Sequence, residues 1–186
     1  MTAATTGLRQ LTGDYRLDVA HTTFGFVARH AMVTKVRGSF SEFEGGAHID
    51  AADPAKSTVH VVIQAASITT RNDQRDAHLK SNDFLAMEEF PTITFDSTRI
   101  ELTDDTTVRL TGDLTIRGTT KSITFDLEYT GSATDPFGNF RIGFEGSVAI
   151  NRKDWGVNWN AALEAGGVLV SEKVTLEFDV SAIKQG

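Results

Sequence analysis

Apolar residues alternate with polar or small residues along most of this chain, and this period of two constrains the fold more than any other feature. The apolar members are Phe24, Phe26 and Ala28; Val59, Val61 and Ile63; Ile93 and Phe95; Val108, Leu110, Leu114 and Ile116; Ile123, Phe125, Leu127 and Tyr129; Phe140, Ile142, Phe144, Val148 and Ile150; and Val174, Leu176, Phe178 and Val180. Successive side chains of a β-strand point to opposite faces, so this pattern predicts strands with one apolar face. Parallel strands would show continuous apolar runs instead, so we expect an antiparallel sheet.

Turn-forming residues separate the alternating segments, at 50–54, 104–105, 117–119 and 135–138. Together the two signals predict strands near 13–18, 22–30, 36–49, 57–67, 92–101, 107–117, 120–131, 138–152 and 168–181. The connections are short, which favours antiparallel neighbours in a meander. Long strands in a meander favour a closed barrel over a sandwich. We therefore predict an all-β fold, a closed antiparallel eight-stranded barrel.

One segment, 70–90, departs from the period of two. Its spacing is helical, and Thr70 with Asp73 resembles a capping box. Asp76 and Lys80 have the spacing of an ion pair on one helix face. We expect a short helical insert here, ending at Pro91.

Charge and residue usage exclude several classes of protein. A net charge of −7 with no basic run makes nucleic acid a poor partner. The absence of cysteine excludes disulfides and cysteine-ligated metal centres, and we predict neither a metal nor a cofactor. No apolar stretch reaches the roughly 18 residues of a transmembrane helix.

The sequence also gives an expectation for the number of domains and for the location of the protein. No linker rich in Pro, Gly or Ser interrupts the 186 residues, so we expect one domain over 1–186. The segment 1–10 lacks the basic and apolar regions of a signal peptide, so we expect the protein in the cytoplasm. Removal of a signal before this start would instead make it a secreted protein.

The direction of each side chain follows from its position in the alternation. His48 and His60 alternate with apolar neighbours, which predicts that both face solvent. His30 and Arg152 share the parity of the apolar residues in their strands, so both are predicted to point inward at a strand end. In a meander these strand ends lie at one end of the barrel, together with the 70–90 insert and the 153–167 loop.

A polar, cationic and aromatic rim around an apolar interior is what an amphiphile requires. The insert brings Arg75 and His78 to this rim, and the loop brings Trp155 and Trp159. A lipid tail would enter the barrel, and an anionic head would meet arginine and histidine.

Structural roles compete with ligand contact at these positions. Arg152 would equally serve in a buried ion pair with Asp154, Asp76 or Glu145. His30 would equally serve as a hydrogen-bonded core histidine, and Arg75 and His78 would equally lie on a solvated helix face.

The interior itself allows two interpretations. Phe is used twelve times against two Tyr and two Trp, and its ring carries no polar group, as an apolar lining requires. A small barrel is either filled by such side chains or holds one ligand. Small residues on the inner rows, Ala28, Gly112 and Gly146, favour a cavity. The candidate ligand-binding residues are Phe24, Phe26, His30, Phe40, Arg75, His78, Phe84, Phe95, Leu114, Phe125, Phe144, Gly146, Arg152, Trp155 and Phe178.

Several motifs in order resemble those of the YceI-like family. The match runs over roughly 12–182 and comprises 15–22 (Tyr-Arg-Leu-Asp-Val-Ala-His-Thr), 26–30, 36–40, 67–70 with 75–85, 91–95, 112–118 and 151–156. The segment 75–85 is the most specific of them. Thr22 stands where the family usually has Ser, and Trp155 where Phe is common.

The resemblance implies a lipocalin-like barrel that binds a polyisoprenoid or a related long-chain lipid, such as an isoprenoid quinone, for transport or storage. It also implies that the chain forms homodimers. Two alternatives stay open: an enzyme acting on a lipid head group, with His30, His78 or Asp154 as acid or base, and a solid-core interaction module. The chain lacks the Gly-x-Ser-x-Gly, His-Glu-x-x-His and phosphate-loop motifs, so a non-catalytic binding protein is favoured.

Overall fold

The computed structural model describes residues 7–164 and 166–186, and these ranges consist mostly of β-strands. The strands are β1 (Gly13–Leu17), β2 (Thr23–His30), β3 (Thr34–Phe40), β4 (Phe43–Ile49), β5 (Thr58–Gln64), β6 (Ile68–Thr69), β7 (Thr92–Leu102), β8 (Thr107–Ile116), β9 (Thr119–Thr134), β10 (Phe140–Asn151) and β11 (Lys173–Lys184). One α-helix, α1 (Asp73–Lys80), lies between β6 and β7. No helix in these ranges is long and apolar enough to cross a bilayer.

The strands occupy eight positions around a closed antiparallel barrel, as the alternation predicts. The first position is shared by β1 and β2, which both pair with β11: Arg16 opposes Ile183, and Phe26 opposes Leu176. In the same way β3 and β4 share the second position, and β5 and β6 the third. The pairing of β1 with β11 closes the sheet.

Short interruptions explain why the predicted strand segments differ from the observed strands. Between β1 and β2 a 3-10 turn, Val19–His21, is capped by Asp18, whose carboxylate accepts from the Ala20 N–H at 3.2 Å. The predicted strand 36–49 is broken at 41–42, where β3 ends and β4 begins. The last strand begins at Lys173 instead of 168, because residues 168–172 belong to a loop over one end of the barrel.

The insert is a single short helix with a different cap from the predicted one. Asn72 caps it by accepting from the Arg75 N–H at 3.0 Å, so the capping box predicted from Thr70 is wrong. The predicted Asp76–Lys80 pair is also wrong: Asp76 is buried and accepts from the backbone N–H (2.8 Å) and the hydroxyl (2.6 Å) of Thr70. The rest of the insert, up to Pro91, consists of turns.

The strand directions give the barrel two different ends, which we name the mouth end and the far end. At the mouth end lie the turn 31–33, the insert 70–91, the turn 117–118 and the loop 152–172. At the far end lie the connections 50–57, 103–106 and 135–139 and a 3-10 turn, Leu8–Gln10. The strand that ends at His30 and the strand that Arg152 directly follows end at the same end of the barrel, as predicted.

Each end has its own apolar cluster. At the far end Leu8, Leu11, Tyr15, Tyr129, Ile142 and Ala182 pack together, and Leu11 is the most deeply buried of them. Toward the mouth end the cluster consists of Ala65, Ile93, Leu114 and Trp155. Between the two clusters the inner faces of the strands surround a cavity.

Candidate functional site

The barrel encloses a cavity of about 340 Å³ with an almost entirely apolar wall. The alternative in which Phe side chains fill the interior is therefore wrong for this structure. Eleven of the predicted ligand-binding residues line the cavity: Phe24, Phe26, Phe40, Phe84, Phe95, Leu114, Phe125, Phe144, Arg152, Trp155 and Phe178. Alternation located these side chains because it specifies the inner face of each strand.

Aromatic rings form a connected band along the wall. The Phe125 ring lies 5.0 Å from Phe178 and 5.7 Å from Phe95, and Phe24 contacts Phe43 edge to face at 4.7 Å. Such tilted and edge-to-face pairs stabilise ring positions beyond the effect of burial alone. The rings therefore pack against one another around the cavity and leave its centre open.

Two glycines let these rings lie flat on the wall. A Cβ at Gly38 would lie 2.2 Å from Cζ of Phe26, and a Cβ at Gly112 would lie 2.4 Å from Cζ of Phe95. The expectation that Gly112 and Gly146 leave open space is therefore wrong. Gly146 does not line the cavity, and a Cβ there would meet the backbone oxygen of Asp126 at 2.5 Å.

Arg152 is a charged residue in the cavity wall at the mouth end, and it is 5% exposed. None of the predicted ion pairs forms. Instead Nε donates to the Ser171 carbonyl (2.9 Å), and the two terminal nitrogens donate to the carbonyls of Val157 (2.6 Å) and Val170 (3.2 Å). Burial lowers the pKa of the Arg152 guanidinium from its ordinary value.

Arg152 therefore has a structural role at the mouth end, although not through the ion pair that was considered as the alternative to head-group contact. It holds the loop 152–172 over the mouth end by binding three of its carbonyls. These bonds use three of the five N–H groups of a guanidinium, and the charge lies 6.0 Å from the centre of the Phe84 ring.

An aromatic cluster connects the insert to the loop across the mouth. The His78 ring lies 4.6 Å from Trp159 and 4.9 Å from Phe84, in both cases edge to face. His78 Nε2 also lies 2.8 Å from an oxygen of the Asp83 carboxylate. His78 is therefore at the rim, as predicted, but it packs above the cavity and is not part of its lining.

Two predicted residues do not reach the cavity. His30 is exposed, because β2 leaves the barrel wall at its last residue and pairs there with Val170 of the loop. Arg75 binds the insert itself, donating from Nε to the Thr70 hydroxyl (2.7 Å) and from a terminal nitrogen to the Thr70 carbonyl (2.8 Å).

Trp155 closes the wall at the mouth end. It is 3% exposed, and its indole Nε1 donates to the Leu114 carbonyl at 2.9 Å. The 3-10 turn Arg152–Trp155 carries both residues, and Gly156 ends it in the left-handed region at φ 77°. This short turn therefore contributes one cationic and one indole side chain to the wall.

Sequence reasoning missed the lining residues at the far end. Leu8 and Leu11 close this end of the cavity, and their i, i+3 spacing is the signal that would have indicated a short helical turn. Tyr15 also lines it and is 3% exposed. Within the described ranges the Tyr15 hydroxyl is a buried group with no hydrogen-bond partner, and burial, with a smaller effect of Tyr129, raises its pKa.

On the outer surface of the far end, Arg141 joins two carboxylates. Its Nε donates to Asp135 at 2.7 Å, and a terminal nitrogen donates to Asp18. The Arg141 guanidinium, through these hydrogen bonds, lowers the pKa of Asp135 to about 2 and also lowers the pKa of Asp18.

The predicted surface histidines lie outside the barrel. His48 is within 2.6 Å of the Asp14 carboxylate, and His60 pairs with Asp96 on the neighbouring strand. Among residues 7–164 and 166–186, no group of three or more His, Asp or Glu side chains is placed to hold a metal ion.

Comparison with known proteins agrees with this architecture. A family model described as YceI-like domain matches residues 15–182. A UPF0312 protein of Staphylococcus aureus is 38% identical over 170 residues, which cover 91% of this chain and 95% of the relative.

Two solved structures share the barrel. The YCEI protein of Campylobacter jejuni matches with a TM-score of 0.72 and 29% identity, over 85% of this chain and 90% of the other. A polyisoprenoid binding domain from Saccharophagus degradans, implicated in plant cell wall breakdown, matches with a TM-score of 0.70 and 16% identity. That alignment covers 92% of this chain and 98% of the other, and it demonstrates a shared fold.

Proposed function

The chain belongs to the YceI-like family, and on that premise we propose that its barrel binds a polyisoprenoid or an isoprenoid quinone for transport or storage. The observation that carries the proposal is the enclosed apolar cavity, whose wall contains one buried cation at the mouth end. The related barrel from Saccharophagus degradans, described as a polyisoprenoid binding domain, supports the same class of ligand.

The energetics of such a cavity favour a tail over a compact ligand. Burial contributes about 0.8 kcal/mol per CH₂ group, so about ten buried carbons contribute about 8 kcal/mol before costs are subtracted. Ordering a flexible tail offsets part of this gain. The apolar wall offers almost no directional contact, so tails would be selected by volume and shape.

Arg152 is the residue that we assign to a polar head. Its lowered pKa reflects the cost of a buried cation, and an anionic head would relieve that cost. The two N–H groups not used for loop carbonyls would bind phosphate oxygens, for which a guanidinium fork is well suited.

The enzyme alternative gains no support from the positions of its residues. His30, His78 and Asp154 are not part of the cavity wall, so none lies where a bound head group would meet it from within the barrel. A binding protein without catalysis remains the proposal.

The direct experiment is native mass spectrometry of the gently purified protein, followed by extraction and identification of the lipid. We expect a bound species with the mass of a prenyl lipid. Absence of any co-purifying lipid, together with no uptake of added prenyl alcohol or prenyl phosphate, would contradict the proposal.

A pair of variants on β2 tests whether the cavity is the site. Ala28 lines the cavity, whereas Val27 next to it does not. Ala28→Phe should lower uptake of a fluorescent prenyl analogue by about tenfold, whereas Val27→Phe, with the same added ring on the other face, should leave it unchanged. Equal uptake by both variants would place the lipid elsewhere.

Arg152→Lys tests the head-group assignment. Lysine keeps a cation but not the fork, so binding of a prenyl phosphate should weaken more than binding of the matching prenol. Equal weakening of both ligands would assign Arg152 to loop structure alone.

A further inference from the structure

The turn between β2 and β3 exposes two apolar side chains at the mouth end. Met32 is 61% exposed and Val33 is 76% exposed. Ala31 and Met32 both have left-handed backbone conformations, with φ of 51° and 63°. Residues with a Cβ adopt this region at a cost of roughly 1–2 kcal/mol each. Glycine would adopt these conformations without that cost. The turn instead carries the apolar residues Met32 and Val33 at its tip.

The strand ends that flank this tip carry cations, although the whole chain has a net charge of −7. Arg29 and Lys35 are opposite each other across the β2–β3 pair, and both are exposed. Arg37 follows on the same strand, and residues 29–37 contain no Asp or Glu. Arg37 forms an ion pair with Glu177 at 3.2 Å. Arg29 and Lys35 are nearer to the tip in sequence than Arg37 is. An apolar tip beside cations fits a surface with an apolar layer beneath anionic groups.

The turn is directly bonded to the loop over the mouth. The Ala31 N–H donates to the Leu169 carbonyl at 2.7 Å, and Met32 Sδ packs against Gly167. The Arg29 N–H donates to the Ser171 hydroxyl at 2.9 Å, and the Ser171 N–H donates to the Arg29 carbonyl at 3.0 Å. A displacement of the turn would therefore be transmitted to the loop that Arg152 holds.

We propose that the turn 31–33 docks on a membrane containing anionic phospholipid. Met32 and Val33 enter the boundary between head groups and acyl chains, and Arg29 and Lys35 contact lipid phosphates. Docking places the mouth of the barrel against the bilayer and displaces the loop 152–172 through its bonds to the turn. The docking step does not depend on the proposed cargo, whereas its purpose in lipid exchange rests on the proposed function.

A second exposed apolar side chain provides an internal control. Phe137 is 89% exposed at the far end, in a turn whose carboxylate, Asp135, is bonded to Arg141. In the described part of the chain, the cation nearest to this tip in sequence is Arg141, which is paired with two carboxylates, and the tip lies at the opposite end from the mouth. If exposure of an apolar residue were sufficient for docking, both tips would bind the membrane equally well.

The test is flotation with vesicles of phosphatidylcholine alone and of phosphatidylcholine mixed with phosphatidylglycerol. Wild type should float with the anionic vesicles, and added salt should release it. The double variant Met32→Ser/Val33→Ser should bind about tenfold less. Lys35→Gln should bind about fivefold less, because one cation near an anionic surface contributes about 1 kcal/mol. Phe137→Ser should bind as wild type does.

Three results would overturn the docking proposal: no flotation of wild type with anionic vesicles, undiminished flotation of the double variant, or an equal loss from Phe137→Ser. Uptake of prenyl lipid from detergent, measured on the same samples, separates this proposal from the proposed function. Docking without uptake would leave docking intact and contradict the cargo, whereas uptake without docking would do the reverse. Unchanged uptake by the double variant confirms that its barrel is folded.

Discussion

The two ends of the barrel are closed by different kinds of interaction. At the far end, Leu8, Leu11 and Tyr15 close the cavity by apolar burial. At the mouth end, the loop 152–172 is held mainly by hydrogen bonds, three of them from Arg152. When hydrogen bonds to carbonyls break, new bonds to water or to a ligand replace them and offset the free-energy cost. When an apolar cluster is exposed to water, no new interaction offsets the cost. We therefore expect the loop end to open more easily than the far end.

The largest effect is expected at Arg152, which binds three carbonyls of the loop over the mouth. Arg152→Met should destabilise the protein by about 4 kcal/mol, because three carbonyls lose their donor together. Chemical denaturation measures this loss. Lys153→Met, which removes the adjacent exposed partner of Glu172, should cost less than about 1 kcal/mol. A similar loss of stability in the two variants would show that Arg152 is not the main support of the loop.

At the far end the expected cost comes from a cavity. Leu11 is 1% exposed, so Leu11→Ala should destabilise by about 3 kcal/mol through lost burial and the space left behind. Val33→Ala, at an exposed position, should change stability by less than about 0.5 kcal/mol. If Leu11→Ala is nearly neutral in thermal unfolding, the far end is not closed by burial.

A carboxylate at the far end makes the stability of the fold depend on pH. The folded-state pKa of Asp135, about 2, lies below its unfolded value of about 3.9, so its contribution to stability is present above about pH 4. That contribution is lost as the pH falls toward 2. Asp135→Asn should therefore be less stable than wild type at neutral pH, with the difference vanishing near pH 2.

The Asp135 measurement needs a carboxylate without such a partner as its reference. Asp154→Asn, at an exposed position outside this pair, should change stability at neutral pH by less than about 0.5 kcal/mol. If the difference between Asp135→Asn and wild type is constant from neutral pH to pH 2, the pair with Arg141 does not stabilise the fold.

The smallest effect is expected at the Tyr15 hydroxyl. Because this buried group has no partner in the described structure, Tyr15→Phe should leave stability unchanged or raise it by up to about 1 kcal/mol. Thr22→Val is the matched deletion of a bonded hydroxyl, since the Thr22 oxygen donates to the Ser181 carbonyl at 3.0 Å and accepts from its N–H at 3.1 Å. It should cost about 1–2 kcal/mol. A comparable cost for Tyr15→Phe would show that its hydroxyl is bonded.

The wall of the cavity was predictable from the sequence because strand parity is local. Phe95 and Phe125 alternate with polar neighbours along their strands, and in the structure both rings point inward. Parity fails where a strand ends. His30 has the inward parity, but the backbone beyond it turns to meet the loop, and the side chain becomes exposed.

The partners of Arg152 and the role of the glycines were not predictable, because both depend on contacts between distant segments. A carboxylate partner was one of the two roles considered for Arg152, yet the loop 152–172 supplies carbonyls from residues 157, 170 and 171. Gly112 was expected to leave space. The Phe95 ring occupies that space, because the register of β7 and β8 places Phe95 diagonally opposite Gly112. Such registers are set by the closed sheet as a whole.

The pairing of β1 with β11 brings nearly the whole length of the chain into one closing contact. Contacts between residues so far apart in sequence form late and slow folding, because the intervening chain must first be ordered. Until β11 arrives, β1 and β10 each present an unpaired edge, which other chains can extend by strand addition. Loss of the last strand in a truncated or interrupted product should therefore produce aggregates, not a weaker barrel.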